Sequence, residues 1–252
     1  MLDLTPAFFA FAVPAVIFSG MSKGGFGGGA AFAASAILAL YLPPPVALGL
    51  MLPLLMLMDV TALPGYWRRW SWADAAPMLM GALPGVLLGA LLMKHADPDV
   101  FRLLIGVICI AFVAWRLAQG AGLIRLARID QPHRGFAGAA GMAVGFTSFI
   151  SHAGGPPAAV YLLSRGLDKM TYQATTVLLF WAVNLMKVGF YAGAGVFSLS
   201  TLTADLILAP VAMVGVVIGI KAHKVVSEKL FFGITYTLLT FTGIRLIWVA
   251  LA

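Results

Sequence analysis

Ser19-Gly-Met-Ser-Lys-Gly-Gly-Phe-Gly-Gly-Gly29 is a glycine-rich run with a lysine inside it, set between two apolar stretches. In a soluble α/β protein such a run would suggest a phosphate-binding loop. Here Gly20 to Lys23 lacks the G-x-x-x-x-G-K-[ST] spacing and no strand-like segment precedes it. The flanks decide the matter. Pro6 to Ser19 on one side and Ala30 to Leu42 on the other are almost free of charge, and the rest of the chain continues in that manner. Hydrophobic residues make up 62% of the 252, charged residues 10%, and the mean hydropathy is +1.00. A soluble domain carries about 25% charged residues. The longest polar stretch, residues 116 to 134, is too short to be a soluble domain, so the whole chain is assigned to a bilayer. Pro6 to Ser19 has no basic residues before it and no small-residue cleavage site leading into a polar domain, and it is expected to be the first membrane segment.

Breaks rich in glycine, proline or charge divide the apolar sequence into ten segments, five per half, at approximately 5–20, 25–42, 46–65, 74–94, 100–118, 135–151, 155–165, 172–194, 203–222 and 230–251. The seventh is too short to span. The expected fold class is therefore all-α: a polytopic membrane helical bundle with Gly-rich broken or re-entrant helices. Taking loops alternately, one set holds Lys23, Arg68, Arg69, Arg116, Arg125, Arg128, Arg134, Arg165, Lys169, Lys221, Lys224 and Lys229. The other holds little beyond Lys94 and Arg102. The positive-inside rule makes the first set cytoplasmic and places both termini outside. Basic residues scattered singly between apolar runs also argue against nucleic acid as a partner. Cys109, the one cysteine, leaves no disulfide framework and no thiolate metal site.

The halves align with each other. A shift of 126 residues lays Gly28-Gly29 on Gly154-Gly155 and Pro45-Val46-Ala47 on Thr171-Tyr172-Gln173. A shift of 130 lays Gly85 to Gly89 on Gly215 to Gly219 and Lys94 on Lys224. The expected organisation is a first membrane repeat over 1–120, a basic cytoplasmic loop over 121–134 and a second repeat over 135–252. Five segments per repeat make the two inverted about an axis in the membrane plane, a plan that secondary transporters use for alternating access.

In such a plan the solute site lies at paired, Gly/Pro-interrupted segments. These are Ser19 to Gly29 and Ser148-Phe-Ile-Ser-His-Ala-Gly-Gly-Pro-Pro157. Glycine permits close backbone approach, and a following helix turns its unpaired N–H groups toward the break, which suits an anion. The candidate binding residues are Lys23, Gly24, Gly25, Gly27, Gly28, Gly29, Ser151, His152, Gly154 and Gly155, joined by Asn184 and Lys187 on one face of the eighth segment. Asp59, an intramembrane acid, is a candidate proton or counter-charge site for coupling, with an Asp59 to Lys187 pair expected across the two halves. The spacings Gly25-Gly29-Ala33 and Gly81-Gly85-Gly89 are expected to bring helices close together. Trp67, Trp70 and Trp72 with Tyr66 read as an aromatic belt.

The run Ser-Gly-(x)4-Gly-Phe-Gly-Gly-Gly, its degenerate second copy after a basic central loop, the duplication and the length together resemble the sulfite exporter TauE/SafE family over Val13 to Ile247. The resemblance implies a transporter of the bacterial inner membrane for small organic or sulfur-containing anions such as sulfite and sulfonates. It carries the Gly-rich element over to Gly24, Gly25, Gly27, Gly28 and Gly29 and to Gly154 and Gly155. The second copy, His152-Ala-Gly-Gly-Pro-Pro157, departs from the family's Gly-Gly-Gly and leaves the solute open. No catalytic set, metal or cofactor is expected. The partners expected are a small anionic solute and the lipid bilayer, with a homo-oligomer left open. A membrane-embedded enzyme and a non-transporting assembly subunit stand as alternatives.

Overall fold

Prolines and polar caps start most of the apolar runs. Thr5 accepts a hydrogen bond from the Phe8 amide ahead of α1 (Pro6–Gly25). Asp168 accepts from the Met170 and Thr171 amides ahead of α8 (Lys169–Gly193), and Ser227 caps α10 (Glu228–Leu251). Proline occupies the first turn of α3 (Pro44–Tyr66), α5 (Pro98–Gly120) and α7 (Gly155–Ser164), where its missing N–H costs nothing. The remaining elements are α2 (Ala33–Leu38), α4 (Trp72–His95), α6 (Arg134–Ser151) and α9 (Leu199–Ala222). The computed structural model describes residues 3–26, 29–124, 126–222 and 227–252, and among these there is no strand. Gly27, Gly28, Arg125 and Lys224 of the sequence reading lie outside the described residues.

Seven of the ten described helices, α1, α3, α4, α5, α8, α9 and α10, are long and apolar enough to cross a bilayer. The protein is a multi-pass membrane protein. Met80, Leu91, Leu199, Leu206 and Trp248 are largely exposed, a surface that suits lipid. The ten segments read from sequence correspond one to one to the helices, with two differences of extent. α1 runs through the first half of the Gly-rich run to Gly25, and the break begins at Phe26. Lys23 is consequently a buried helix residue at 6% exposure, and its expected place in a loop is corrected. α2 keeps only six residues of the segment 25–42.

Close helix pairs hold the bundle together: α4 lies along α6, α1 along α9, α5 along α10, and α3 contacts both α8 and α9. Glycine sets the first two approaches. A Cβ on Gly81 or Gly85 would strike the carbonyls of Gly138 or Met142, and one on Gly141 or Gly145 those of Met78 or Ala82. In the other pair, a Cβ on Gly20 would sit 2.8 Å from the Ala212 carbonyl oxygen, and one on Gly215 would sit 2.9 Å from that of Ile17. Backbones this near gain dispersion contact that side chains would prevent. The Gly81-Gly85-Gly89 expectation therefore holds. Gly25-Gly29-Ala33 forms no such ridge, because α1 ends at Gly25 and a Cβ on Gly29 would meet nothing within 4 Å.

Buried faces recur at fixed offsets along the chain. In α4 and α9 the buried positions Ala75, Met78, Ala82, Gly85, Val86 and Gly89 have buried counterparts 130 residues later at Asp205, Leu208, Ala212, Gly215, Val216 and Gly219. For α3 and α8 the offset is 125, which lays Asp59 on Asn184 and Ala62 on Lys187. For α1 and α6 it is 129, which lays Ser19, Ser22 and Lys23 on Ser148, Ser151 and His152. The helix ends at the Gly-rich runs, Gly25 and Ser151, and those that follow, Leu38 and Ser164, differ by 126. The offset of the buried faces thus falls from 129 before the Gly-rich runs to 125 after them.

Each break turns a hairpin. Tyr41, after α2, stacks on Phe11 in the first half of α1 with ring centroids 5.5 Å apart, so the chain returns to the end at which α1 began. Arg165, after α7, reaches Asp74 at the start of α4, and Tyr161 packs on Phe136 at the start of α6. The two Gly-rich runs touch: a Cβ on Gly155 would lie 2.7 Å from the Gly29 Cα.

Candidate functional site

A cavity of about 790 Å³ opens at the end of the bundle that carries most of the arginines. Its walls are aromatic and aliphatic, including Phe26, Tyr66, Phe112, Trp115 and Phe232, and its floor is Gly24, Gly25, Gly29 and Gly155. Both Gly-rich breaks therefore contribute backbone to one surface. The charged lining residues are Arg116 and Lys169, and no acid lines the cavity among the described residues. Arg116 donates to the Tyr236 hydroxyl at 3.1 Å and the Gln119 amide oxygen at 3.0 Å, and its guanidinium lies 4.9 Å from the Phe232 ring centre. None of these partners is anionic, so among the described residues no acid compensates its charge in this low-dielectric mouth. Tyr66 serves here as a wall, whereas the Trp67, Trp70 and Trp72 rings meet edge to face.

Beneath the floor lie two buried polar nodes. In the first, Lys23 from the end of α1 forms an ion pair with Asp59 of α3, and the Asn184 side chain of α8 donates to the other Asp59 oxygen at 3.0 Å. Lys23 also lies 5.8 Å from the Phe180 ring centre. In the second, the Lys187 ammonium of α8 donates to the Ser148 carbonyl and hydroxyl at 3.0 Å each and meets the His152 Nδ1 at 2.8 Å. The expected Asp59 to Lys187 pair is thereby corrected: each group is held by the hairpin end nearest to it. Because an ammonium has only donors, His152 Nδ1 accepts. The ring's proton then sits on Nε2, which donates to the Leu48 carbonyl at 3.0 Å. His152 itself terminates α6 in the left-handed region at φ 56°, uncommon for a residue with a Cβ and enforced here by bonds from both ring nitrogens.

The charges do not balance. Lys187 is fully buried, Lys23 and Asp59 nearly so, and two lysines face one aspartate. Asp59 pairs directly with Lys23, whereas the hydrogen-bond partners of Lys187 among the described residues are neutral. The structure thus brings Lys23, Asp59, Asn184, His152 and Lys187 into two adjoining nodes, and Gly24, Gly25, Gly29 and Gly155 onto the cavity floor. Ser151 turns away and donates to the Thr147 carbonyl at 3.0 Å. Gly154 is buried as the residue before α7. The expectation that α7 offers a full set of terminal N–H donors is cut back by sequence: Pro156 and Pro157 carry none, and Ala158 N already bonds the Gly154 carbonyl at 3.2 Å.

Sequence reading missed a third node. Asp74 accepts from Arg165 Nε at 2.8 Å, from the Tyr161 hydroxyl at 2.7 Å and from the Ser71 hydroxyl at 2.6 Å, and Arg165 also donates to the Ile129 carbonyl. It ties α7 and the segment before α6 to α4. Arg165 and Arg116 carried a signal only as loop cations, which cannot separate a lipid-facing arginine from one turned inward. Among the described residues no three His, Cys, Asp or Glu side chains gather as a metal site would need.

Comparison with known proteins places the chain. The family model described as Sulfite exporter TauE/SafE matches residues 12–246. No curated protein and no solved structure gave a match.

Proposed function

We propose a mechanism from one premise: the chain belongs to the sulfite exporter TauE/SafE family and is a membrane transporter. Its solute is a small anion, sulfite, a sulfonate or a related organic acid, taken up in the cavity at the arginine-rich end. The observation that carries this reading is the cavity itself, basic at its mouth, without an acid among the described residues that line it and floored by backbone of both Gly-rich runs, with Lys187 and its neutral partners behind that floor. Such a lining raises the local concentration of anions, and the glycines let a solute approach the backbone closely.

The route proceeds from Arg116 and Lys169 to Gly24, Gly25, Gly29 and Gly155, and, once the floor parts, to Lys187, His152 and Asn184. Gly27 and Gly28 belong to the same break by sequence. The Ser22 and Ser35 hydroxyls, buried without a partner, are further donors close to the first break. Asp59 acts as the counter-charge that keeps Lys23 from trapping the anion. The repeats 1–120 and 135–252, joined through 121–134, are inverted with respect to each other. The offsets of the buried faces and the reciprocal pairs α1–α9 and α6–α4 support that relation. Alternating access follows as the rocking of one set of pairs against the other. The arginine-rich end is cytoplasmic by the positive-inside rule, both termini lie outside, and the membrane is the cell's inner membrane.

Gly29 supplies the test, since its missing Cβ faces open cavity. Proteoliposomes containing the wild type should take up labelled sulfite or isethionate, and Gly29→Leu should abolish that uptake while the detergent-solubilised protein keeps its thermal midpoint. Flux through a folded Gly29→Leu protein equal to wild type would exclude this cavity as the route.

A further inference from the structure

Asp205 is a carboxylate that the route above does not use. It is the seventh residue of α9, about 9 Å from the helix start at 1.5 Å per residue, on the face that packs against α1 and α3. It is 6% exposed. Neither of its oxygens has a hydrogen-bond partner, and it joins none of the ion pairs among the described residues. One turn earlier, Thr201 is already committed: its hydroxyl donates to the Ser198 carbonyl and accepts from the Ser198 amide, both at 2.9 Å.

The titratable groups on the packed elements are distant. In α1 the ionisable side chain is Lys23, whose neighbour Gly24 lies on Val216, 11 residues and therefore about 16 Å further along α9. In α3 they are Asp59, which pairs with Lys23, and Tyr66 at the helix end. Lys221 lies in the last turn of α9. Asp74 makes the contrast plain. It sits one position before the α4 counterpart of Asp205 and has three donors, whereas Asp205 has none. An ionised carboxylate buried without donors costs several kcal/mol, and an acid inside a membrane segment is expensive in the same way.

We propose that Asp205 is a proton-binding site, occupied in this conformation, through which solute movement is linked to proton movement. The proton resides on a carboxyl oxygen and neutralises the group while α1, α3 and α9 enclose it. Opening of the bundle at the end where α9 begins would wet that face and let the proton exchange with water. This rests on the alternating-access reading. A sodium ion fits less well, because it needs several oxygen ligands and the nearest hydroxyl on the helix is already engaged.

Infrared difference spectroscopy on the full-length protein in lipid at neutral pH reads the proton without any solute. A carboxylic-acid C=O band present in wild type, shifted in D2O and missing from Asp205→Asn, is expected; its absence from wild type overturns the proposal. In proteoliposomes preloaded with unlabelled sulfite, Asp205→Asn should keep sulfite counterflow and lose the acceleration that a pH gradient gives the wild type, while Asp205→Glu retains it. Equal acceleration in Asp205→Asn, or acceleration by a sodium gradient alone, overturns the link. A wild type that moves neither sulfite nor isethionate defeats the transport reading, and the infrared band still decides whether Asp205 holds a proton.

Discussion

The two buried nodes occupy matching positions in the two halves of the chain, yet they handle charge in opposite ways. Lys23 and His152 end α1 and α6 at the same register, and each reaches the long helix that follows its hairpin. At the first node that helix supplies an aspartate, so the pair is closed and further held by Asn184. At the second node the helix supplies a lysine, and the hairpin answers with a histidine nitrogen and the oxygens of Ser148. The two nodes therefore differ: the first closes a lysine on an acid, and the second holds a lysine on neutral groups. For a carrier of anions this is a division of labour: a fixed strut in one half and the attracting charge in the other.

Breaking the strut should give the largest effect. Asp59→Ala leaves Lys23 buried without its partner, and loss of about 3–5 kcal/mol is expected for such a broken pair. Thermal unfolding in detergent should show a large drop in midpoint, most of it recovered in the double variant Lys23→Met with Asp59→Leu, which removes both charges. A double variant as unstable as the single would show that Asp59 acts through something other than Lys23. Next in size is Gly155→Val. Its side chain must push against the Gly29 backbone, and overpacking of this kind costs about 1–3 kcal/mol, read by the same melting assay. Gly29→Leu extends into open cavity and should shift the midpoint by less than about 0.5 kcal/mol, in the range of uncommitted positions. The two glycines face each other across one contact, so unequal melting shifts sharpen the distinction between packing and route. Smallest of all is Arg102→Ala, which removes an exposed pair with Asp99 of a kind worth about 0–1 kcal/mol.

Much of this fold was legible because a bilayer imposes a strict length and polarity on each helix. The breaks at Leu42–Pro43, Trp67–Ser71, Ala96–Asp97 and the basic central loop fall where proline and charge interrupt apolar sequence, and the helices begin and end there. The Gly-rich runs were harder. Glycine signals both a break and a close helix contact, and Gly20 and Gly24 belong to the second kind, lying inside α1 against α9. The pairing of Lys23 with Asp59 was not legible at all. Sequence gives the helix positions of Asp59, Asn184 and Lys187 but places Lys23 in a loop and does not tell how deep each Gly-rich run lies, and it is that depth which selects Asp59 for Lys23 and His152 for Lys187. Arg116 and Arg165 illustrate the same limit, since charge patterning assigns them an end of the bundle without telling which way each side chain turns.

The most direct measurement is equilibrium binding of labelled sulfite to the purified protein, comparing Lys187→Met with the double variant Lys23→Met and Asp59→Leu. A lost hydrogen bond to a charged group is worth about 1.5–3 kcal/mol, so Lys187→Met should weaken binding at least about tenfold, whereas the double variant should bind within a few-fold of wild type. Undiminished binding by Lys187→Met, together with loss of binding by a folded double variant, would contradict the assignment of the attracting charge to the second node.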